Sequence, residues 1–166
     1  MQSLYSREQL IELGFEQVGK DVRVSCDARL FAINGRLGDS VRIDAYAILT
    51  GHIVLGNSVH ISPFCFLGGT GGVIEMQDHA GLSTHVSVFT KSDDYSDAVV
   101  GADKLTGDVF IGERSIVGSG CTIMPGVQIE HDVSVGINCV INQKLDKGSL
   151  VVNRGIGLVT LANRLT

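Results

Sequence analysis

Val109-Phe-Ile-Gly-Glu-Arg-Ser-Ile-Val-Gly-Ser-Gly-Cys-Thr-Ile-Met-Pro-Gly-Val-Gln-Ile-Glu130 puts an aliphatic side chain at every sixth residue: Ile111, Val117, Ile123 and Ile129. The run continues at Val135 and Ile141. Two positions before most of these stands a second small or apolar residue: Ser115, Cys121, Val127, Val133, Cys139. The residues between are largely Gly, Asp, Asn, Ser, Arg or Glu. An α-helix repeats about every 3.6 residues and a plain strand every two, so neither places a bulky aliphatic at each sixth position. A short strand followed by a sharp corner does. Three such sides close a triangle, and residues eighteen apart then stack at the spacing of paired strands, about 4.8 Å.

Working outward, the same beat runs through Val18, Val24 and Leu30, through Leu37, Ile43, Leu49, Leu55, Ile61 and Leu67, and through Met76, Leu82 and Val88. The sides sort into three faces: Val18, Leu37, Leu55, Met76, Ile111, Ile129; Val24, Ile43, Ile61, Leu82, Val117, Val135; and Leu30, Leu49, Leu67, Val88, Ile123, Ile141. The reading is an all-β chain, a left-handed parallel β-helix of six triangular coils. One residue is inserted between Leu30 and Leu37, and three between Leu67 and Met76, where Gly68, Gly69, Gly71 and Gly72 form a bend. Val88 to Ile111 spans 23 positions instead of six, so a long loop over residues 90–108 is expected at one corner. A solenoid buries its core without such an excursion, and a long loop reads as functional. Ser6-Arg-Glu-Gln9 resembles a capping box opening a short helix that Gly14 ends. The expected organisation is a capping helix over residues 1–15, the β-helix over 16–145 and, once the period fades after Ile141, a tail over 146–166 that leaves the prism.

Composition agrees with a core of small and aliphatic side chains: 44% hydrophobic residues against 5% aromatic, with 21 Gly among 166 residues. The net charge of −5 disfavours nucleic acid or an anionic membrane as partner. No apolar run approaches the roughly 18 residues of a membrane span, and Met1 to Phe15 lacks the features of a signal peptide. Cys26, Cys65, Cys121 and Cys139 lack C-x-x-C spacing. Cys121 and Cys139, eighteen apart at inward positions, read as buried small hydrophobes. The expected location is a reducing cytoplasm.

The Val109–Glu130 stretch resembles the signature of the hexapeptide-repeat acetyltransferases, and is similar to the sugar O- and N-acetyltransferases of galactoside and surface-polysaccharide type. The resemblance covers roughly residues 15 to 150. It implies a homotrimer that binds acetyl-CoA, as co-substrate, along the groove between neighbouring prisms. The positions that match the family's pantetheine contacts are Gly118, Ser119, Gly136, Ile137 and Asn138. Relatives follow the last regular side with a Thr-Lys-Asp or Asn-Lys-Asp segment whose Lys lies near the CoA phosphates. This chain reads Asn142-Gln143-Lys144, with the charge displaced by one residue. Its Gly155-Ile-Gly-Leu-Val159 also lacks the Pro and the basic residue that relatives carry there.

Acid–base chemistry has three candidates. In galactoside-type relatives a loop His deprotonates the acceptor; alignment of Val86-Ser-Val-Phe-Thr-Lys-Ser-Asp-Asp-Tyr95 puts Asp93 at that position, with Asp94 beside it. A free aspartate titrates near ~3.9, low for a base at neutral pH. His85, at the corner before the loop, becomes a base if a neighbouring carboxylate orients it. The expected activity is acetyl transfer from acetyl-CoA to a hydroxyl or amino group of a free or nucleotide-linked sugar. The rival expectations are a non-catalytic β-helix scaffold and a zinc-dependent carbonic anhydrase of γ type, because these share the repeats.

Overall fold

The computed structural model describes residues 3–93 and 104–155, and the backbone of 158–161. Its strands stack in parallel around a triangular prism. On the first face Val18 pairs with Leu37, Leu37 with Leu55, Leu55 with Met76, Met76 with Ile111 and Ile111 with Ile129. The second face stacks Val24, Ile43, Ile61, Leu82, Val117 and Val135 in that order. The third stacks Leu30, Leu49, Leu67, Val88, Ile123 and Ile141. All eighteen are buried, and with the small residues two positions earlier they make one continuous core. Every expected inward column is present, in the expected register.

The prism is longer than six coils. Leu145 bridges to Ile129, and the strand Leu150–Asn153 pairs in parallel with Ser134–Val135, bringing Val151 over Val135. Leu145 and Val151 are both buried, so the solenoid has about seven turns. The expectation that the tail over 146–166 leaves the prism is therefore corrected at Leu150–Asn153. The steps from Ile129 to Leu145 and from Val135 to Val151 are sixteen residues, not eighteen. A corner two residues shorter shifts the beat without ending the stack. The backbone of Leu158–Leu161 then returns antiparallel along Leu150–Asn153.

The inserted residues sit at the corner between the third and first faces. The single insertion appears as a register shift at Phe31–Ile33, with Ala32 at φ 51°. The three-residue insertion lies in the long strand Phe66–Met76 that turns this corner, and shifts its register against Ile48–Leu55 between Gly51 and His52. The large excursion stands on it: Thr90, fully buried, donates its hydroxyl to Gly68 O (2.7 Å) and accepts from Gly71 N (3.0 Å). Gly107 N closes the loop's base on Thr90 O at 3.0 Å. Above that base Lys91–Asp93 and Lys104–Thr106 form an antiparallel pair. At the start of the chain, the helix Arg7–Glu12 has its capping box, with Gln9 N donating to Ser6 Oγ (3.2 Å) and Ser6 N to Gln9 Oε1 (2.8 Å). Its Leu10 is buried beside Phe15 at the open end of the first turn.

Candidate active site

The corner between the second and third faces carries most of the candidate chemistry. Most turns pass it through one residue in the left-handed region: Tyr46 (φ 66°), Phe64 (62°), His85 (61°), Gly120 (72°) and Asn138 (53°). Bulky side chains pay for this conformation, so three rings on successive turns need a compensation. They have one in each other. Tyr46 stacks on Phe64 at 5.2 Å and 14°, and Phe64 on His85 at 4.9 Å and 7°. The imidazole of His85 is thus held by a ring, and among the described residues no carboxylate bonds to it. Asp93 lies in the loop hairpin, almost fully exposed, with Lys104 Nζ 3.7 Å from its Oδ1. Asp94 falls outside the described residues.

Above His85 the same corner changes character. Gly118 is required by the stack itself: a Cβ there would lie 2.7 Å from the carbonyl carbon of Gly136 and 2.8 Å from its oxygen. Ser119 Oγ lies 3.2 Å from Thr84 Oγ1, and Ser119 O accepts from Asn138 N at 2.9 Å. Ile137 (64% exposed) and Val140 (55%) turn apolar side chains outward next to them. The result is a partly apolar ledge without charge. Asn142 and Gln143 are exposed beyond it. Lys144 is committed elsewhere: its Nζ lies 3.0 Å from Glu130 Oε1 and 3.6 Å from Asp146 Oδ1, and the Glu130 hydrogen bond raises its pKa.

One cluster was not read from the sequence as a site. On the second face Arg42 donates Nε and Nη2 to the two oxygens of Asp44 (2.8 and 2.9 Å), and His60 Nε2 lies 2.8 Å from Asp44 Oδ2. Burial alone would raise the Asp44 carboxyl, but the bonds from Arg42 and His60 prevail and hold it below the usual aspartate range. The signal was available: Arg42 and His60 are eighteen apart, so their outward side chains had to stack. Tyr46 and Phe64 share that interval. Among the described residues, no three His, Cys, Asp or Glu side chains gather as a metal site would require.

No family model matches the chain. The dTDP-4-amino-4,6-dideoxy-D-glucose acyltransferase of Escherichia coli is 30% identical over 94% of this chain and 86% of its own length. The N-acyltransferase AntD of Bacillus cereus, solved in complex with dTDP and 3-hydroxybutyryl-CoA, superposes with a TM-score of 0.87 at 33% identity, covering 99% of this chain and 91% of that one. GDP-perosamine N-acetyltransferase of Caulobacter crescentus, at 18% identity and TM-score 0.65, covers 86% of this chain and 57% of that one and shares the fold. These likenesses favour a transferase over the scaffold and the zinc hydratase. By its repeat, its stacked corners and its near-complete match to these relatives, the chain belongs to the hexapeptide-repeat sugar acyltransferases.

Proposed function

We propose that this enzyme transfers the acyl group of a CoA thioester to the amino group of a nucleotide-linked deoxy-amino sugar, as a homotrimer in the cytoplasm. The observation that carries the reading is the match, over nearly the whole chain, to an acyltransferase of a dTDP-linked 4-amino sugar. Among the alternatives open at the sequence level, this favours nitrogen over oxygen as the acceptor atom. The acyl donor lies along Gly118, Ser119, Gly136, Ile137 and Asn138, its thioester directed down the corner towards His85. Asn142, Gln143 and Lys144 stand at the outer end of that path.

The amine nitrogen attacks the thioester carbonyl, the C–N bond forms, and the C–S bond breaks with CoA leaving as thiol. A neutral amine is already a nucleophile, so the protein must accept one proton and hold the nitrogen within reach of the carbonyl carbon. His85, with its ring plane set by Phe64, and the loop carboxylates Asp93 and Asp94 are the groups for that task. Asp93 pairs with Lys104 and His85 stacks on Phe64, so the two do not meet within one chain, and a site between two prisms would let the loop of one copy serve the corner of the next. This supports the trimer, as does the family resemblance.

The test is turnover, followed as release of free CoA thiol. Acetyl-CoA and 3-hydroxybutyryl-CoA are each offered with dTDP-linked amino sugars, their hydroxyl counterparts and free amino sugars. We expect turnover with an amino sugar only when it is nucleotide-linked. Equal turnover with the hydroxyl counterparts, or none with any amine, overturns the reading.

A further inference from the structure

The outward column of the second face has an uneven charge. Its first three members, Arg23, Arg42 and His60, stand opposite one another on adjacent strands. The next three, Gly81, Ile116 and Ser134, carry no charge. In a chain of net charge −5, two arginines and a histidine on adjacent strands are a local concentration of basic side chains. Like charges directly opposite on neighbouring strands repel, and strands about 4.8 Å apart give them little room. Asp44 offsets one charge by clamping Nε and Nη2 of Arg42 and meeting His60. That clamp fixes the guanidinium plane and leaves its Nη1–Nη2 edge facing away from the carboxylate. Arg23, exposed, has no carboxylate partner among the described residues. The column is thus preorganised and still one charge in excess.

A cavity of about 290 Å³ opens on it, lined by Leu4, Arg23, Ser25, Arg42, Ile43 and Asp44. That lies at the small end of ligand pockets, which suits a diphosphate and part of a pentose rather than a whole nucleotide. A larger depression of about 600 Å³ includes Arg36 against Glu75, Asp78 and Glu113, and its sign is wrong for phosphate.

We propose that the Arg23–Arg42–His60 column is the subsite for the diphosphate of the nucleotide-linked acceptor, a proposal that rests on the nucleotide-sugar reading above. The order along the prism supports this assignment over the diphosphate of CoA. The uncharged ledge at Gly118 to Asn138 lies on the turns above His85, whereas the basic side chains lie on the turns below. His60 is one strand below Gly81, in the same turn as Ser83 and His85. A sugar whose amine reaches that level would carry its diphosphate down over His60 towards Arg42 and Arg23. The planar Arg42 edge suits a two-oxygen phosphate contact, and Arg23 adds a second charge one strand below.

Titration calorimetry with dTDP, and in parallel with CoA, tests the assignment on the full chain. Arg23→Gln is the primary variant because Arg23 is exposed and its side chain has no carboxylate partner to lose among the described residues. Arg42→Gln is the second, with circular dichroism to check that its fold is intact. We expect each to weaken dTDP binding about tenfold or more, the loss typical of a charge-assisted bond, with CoA affinity within about twofold of wild type. Inorganic pyrophosphate should compete with dTDP, and added salt should weaken wild-type binding more than that of Arg23→Gln. Unchanged dTDP affinity in the Arg23→Gln, Arg42→Gln double variant overturns the proposal while leaving the acceptor reading intact. A loss confined to CoA overturns it in favour of the donor. A wild type that acylates free amino sugars and binds no dTDP removes both the subsite and the nucleotide reading.

Discussion

Gly118 and Ser119 are neighbours with separable roles. Gly118→Ala forces a methyl group against the backbone of the next turn, and such overpacking costs about 1–3 kcal/mol. Ser119→Ala removes one hydroxyl from a polar pair and leaves the stack intact. The expected outcome is a lower urea midpoint for Gly118→Ala, and for Ser119→Ala a raised KM for the acyl donor with the midpoint nearly unchanged. Equal midpoints would remove the packing account of Gly118. A second residue-scale expectation follows from the corner carboxylates. Asp78 accepts from Asn57 N (2.7 Å) and Asn57 Nδ2 (3.0 Å), and Arg114 donates to Asp132. Hydrogen bonds from Asn57 to Asp78 and from Arg114 to Asp132, each bond outweighing burial, hold these carboxyls below the usual range, and Asp44 is also depressed. A carboxyl whose folded pKa is depressed stabilises the fold above its unfolded value, near ~3.9, and loses that contribution as pH falls through the folded one. Stability should therefore be flat from neutral pH down to about 5 and drop below about 4. Asn57→Ala, which deprives Asp78 of a donor, should make that drop shallower; an unchanged acid limb in urea titrations would count against the assignment.

At the scale of the element, the inward columns were legible because burial acts on every turn alike. Any polar residue at Ile61 or Val117 would sit unpaired in the core, so the period survives in the sequence. The seventh turn was not legible, because the two-residue shortening before Leu145 breaks the count while the stack continues. The Arg42–Asp44–His60 cluster and the ring ladder were missed for a different reason. Outward positions face solvent and follow no rule of polarity, so only the register reveals who stands over whom. The last turn has a consequence that can be measured. Gly136 N donates to Val151 O at 2.7 Å, and Asn153 Nδ2 reaches Asn138 O, so Leu150–Asn153 supports the ledge assigned to the acyl donor. Val151→Asp would bury an unpaired carboxylate at the end of the stack. Each turn of a solenoid rests mainly on its neighbours, so the damage should stay local. Hydrogen exchange should accelerate at Gly136 and Asn138 while the amides of Ile61 and Leu67 keep wild-type protection, and donor affinity should fall. Uniform loss of protection along the prism would instead mean that the turns unfold as one unit.

At the scale of the whole molecule, His85 and Asp93 stand at different corners of one chain. His85 stands at the corner between the second and third faces, held by Phe64. Asp93 projects on the loop hairpin raised over the corner between the third and first faces, pairing with Lys104. In a closed threefold ring each site between prisms takes one wall from each of two copies. If His85 belongs to one wall and the loop carboxylates to the other, two inactive variants can complement each other. The variants are His85→Ala and the Asp93→Asn, Asp94→Asn double variant, each expected to lose roughly 10²–10⁴ in turnover alone. When equal amounts are unfolded together and refolded as mixed trimers, a site is whole if its first wall comes from the loop variant and its second from the His variant. Each condition holds for half of the subunits, so about a quarter of the sites should recover wild-type turnover. A single chain supplying both groups yields no whole site at any mixing ratio, and neither does a monomer. Recovery that rises and falls with the mixing ratio, peaking at equal amounts, would establish the shared site; activity that stays at the level of the single variants throughout would refute it.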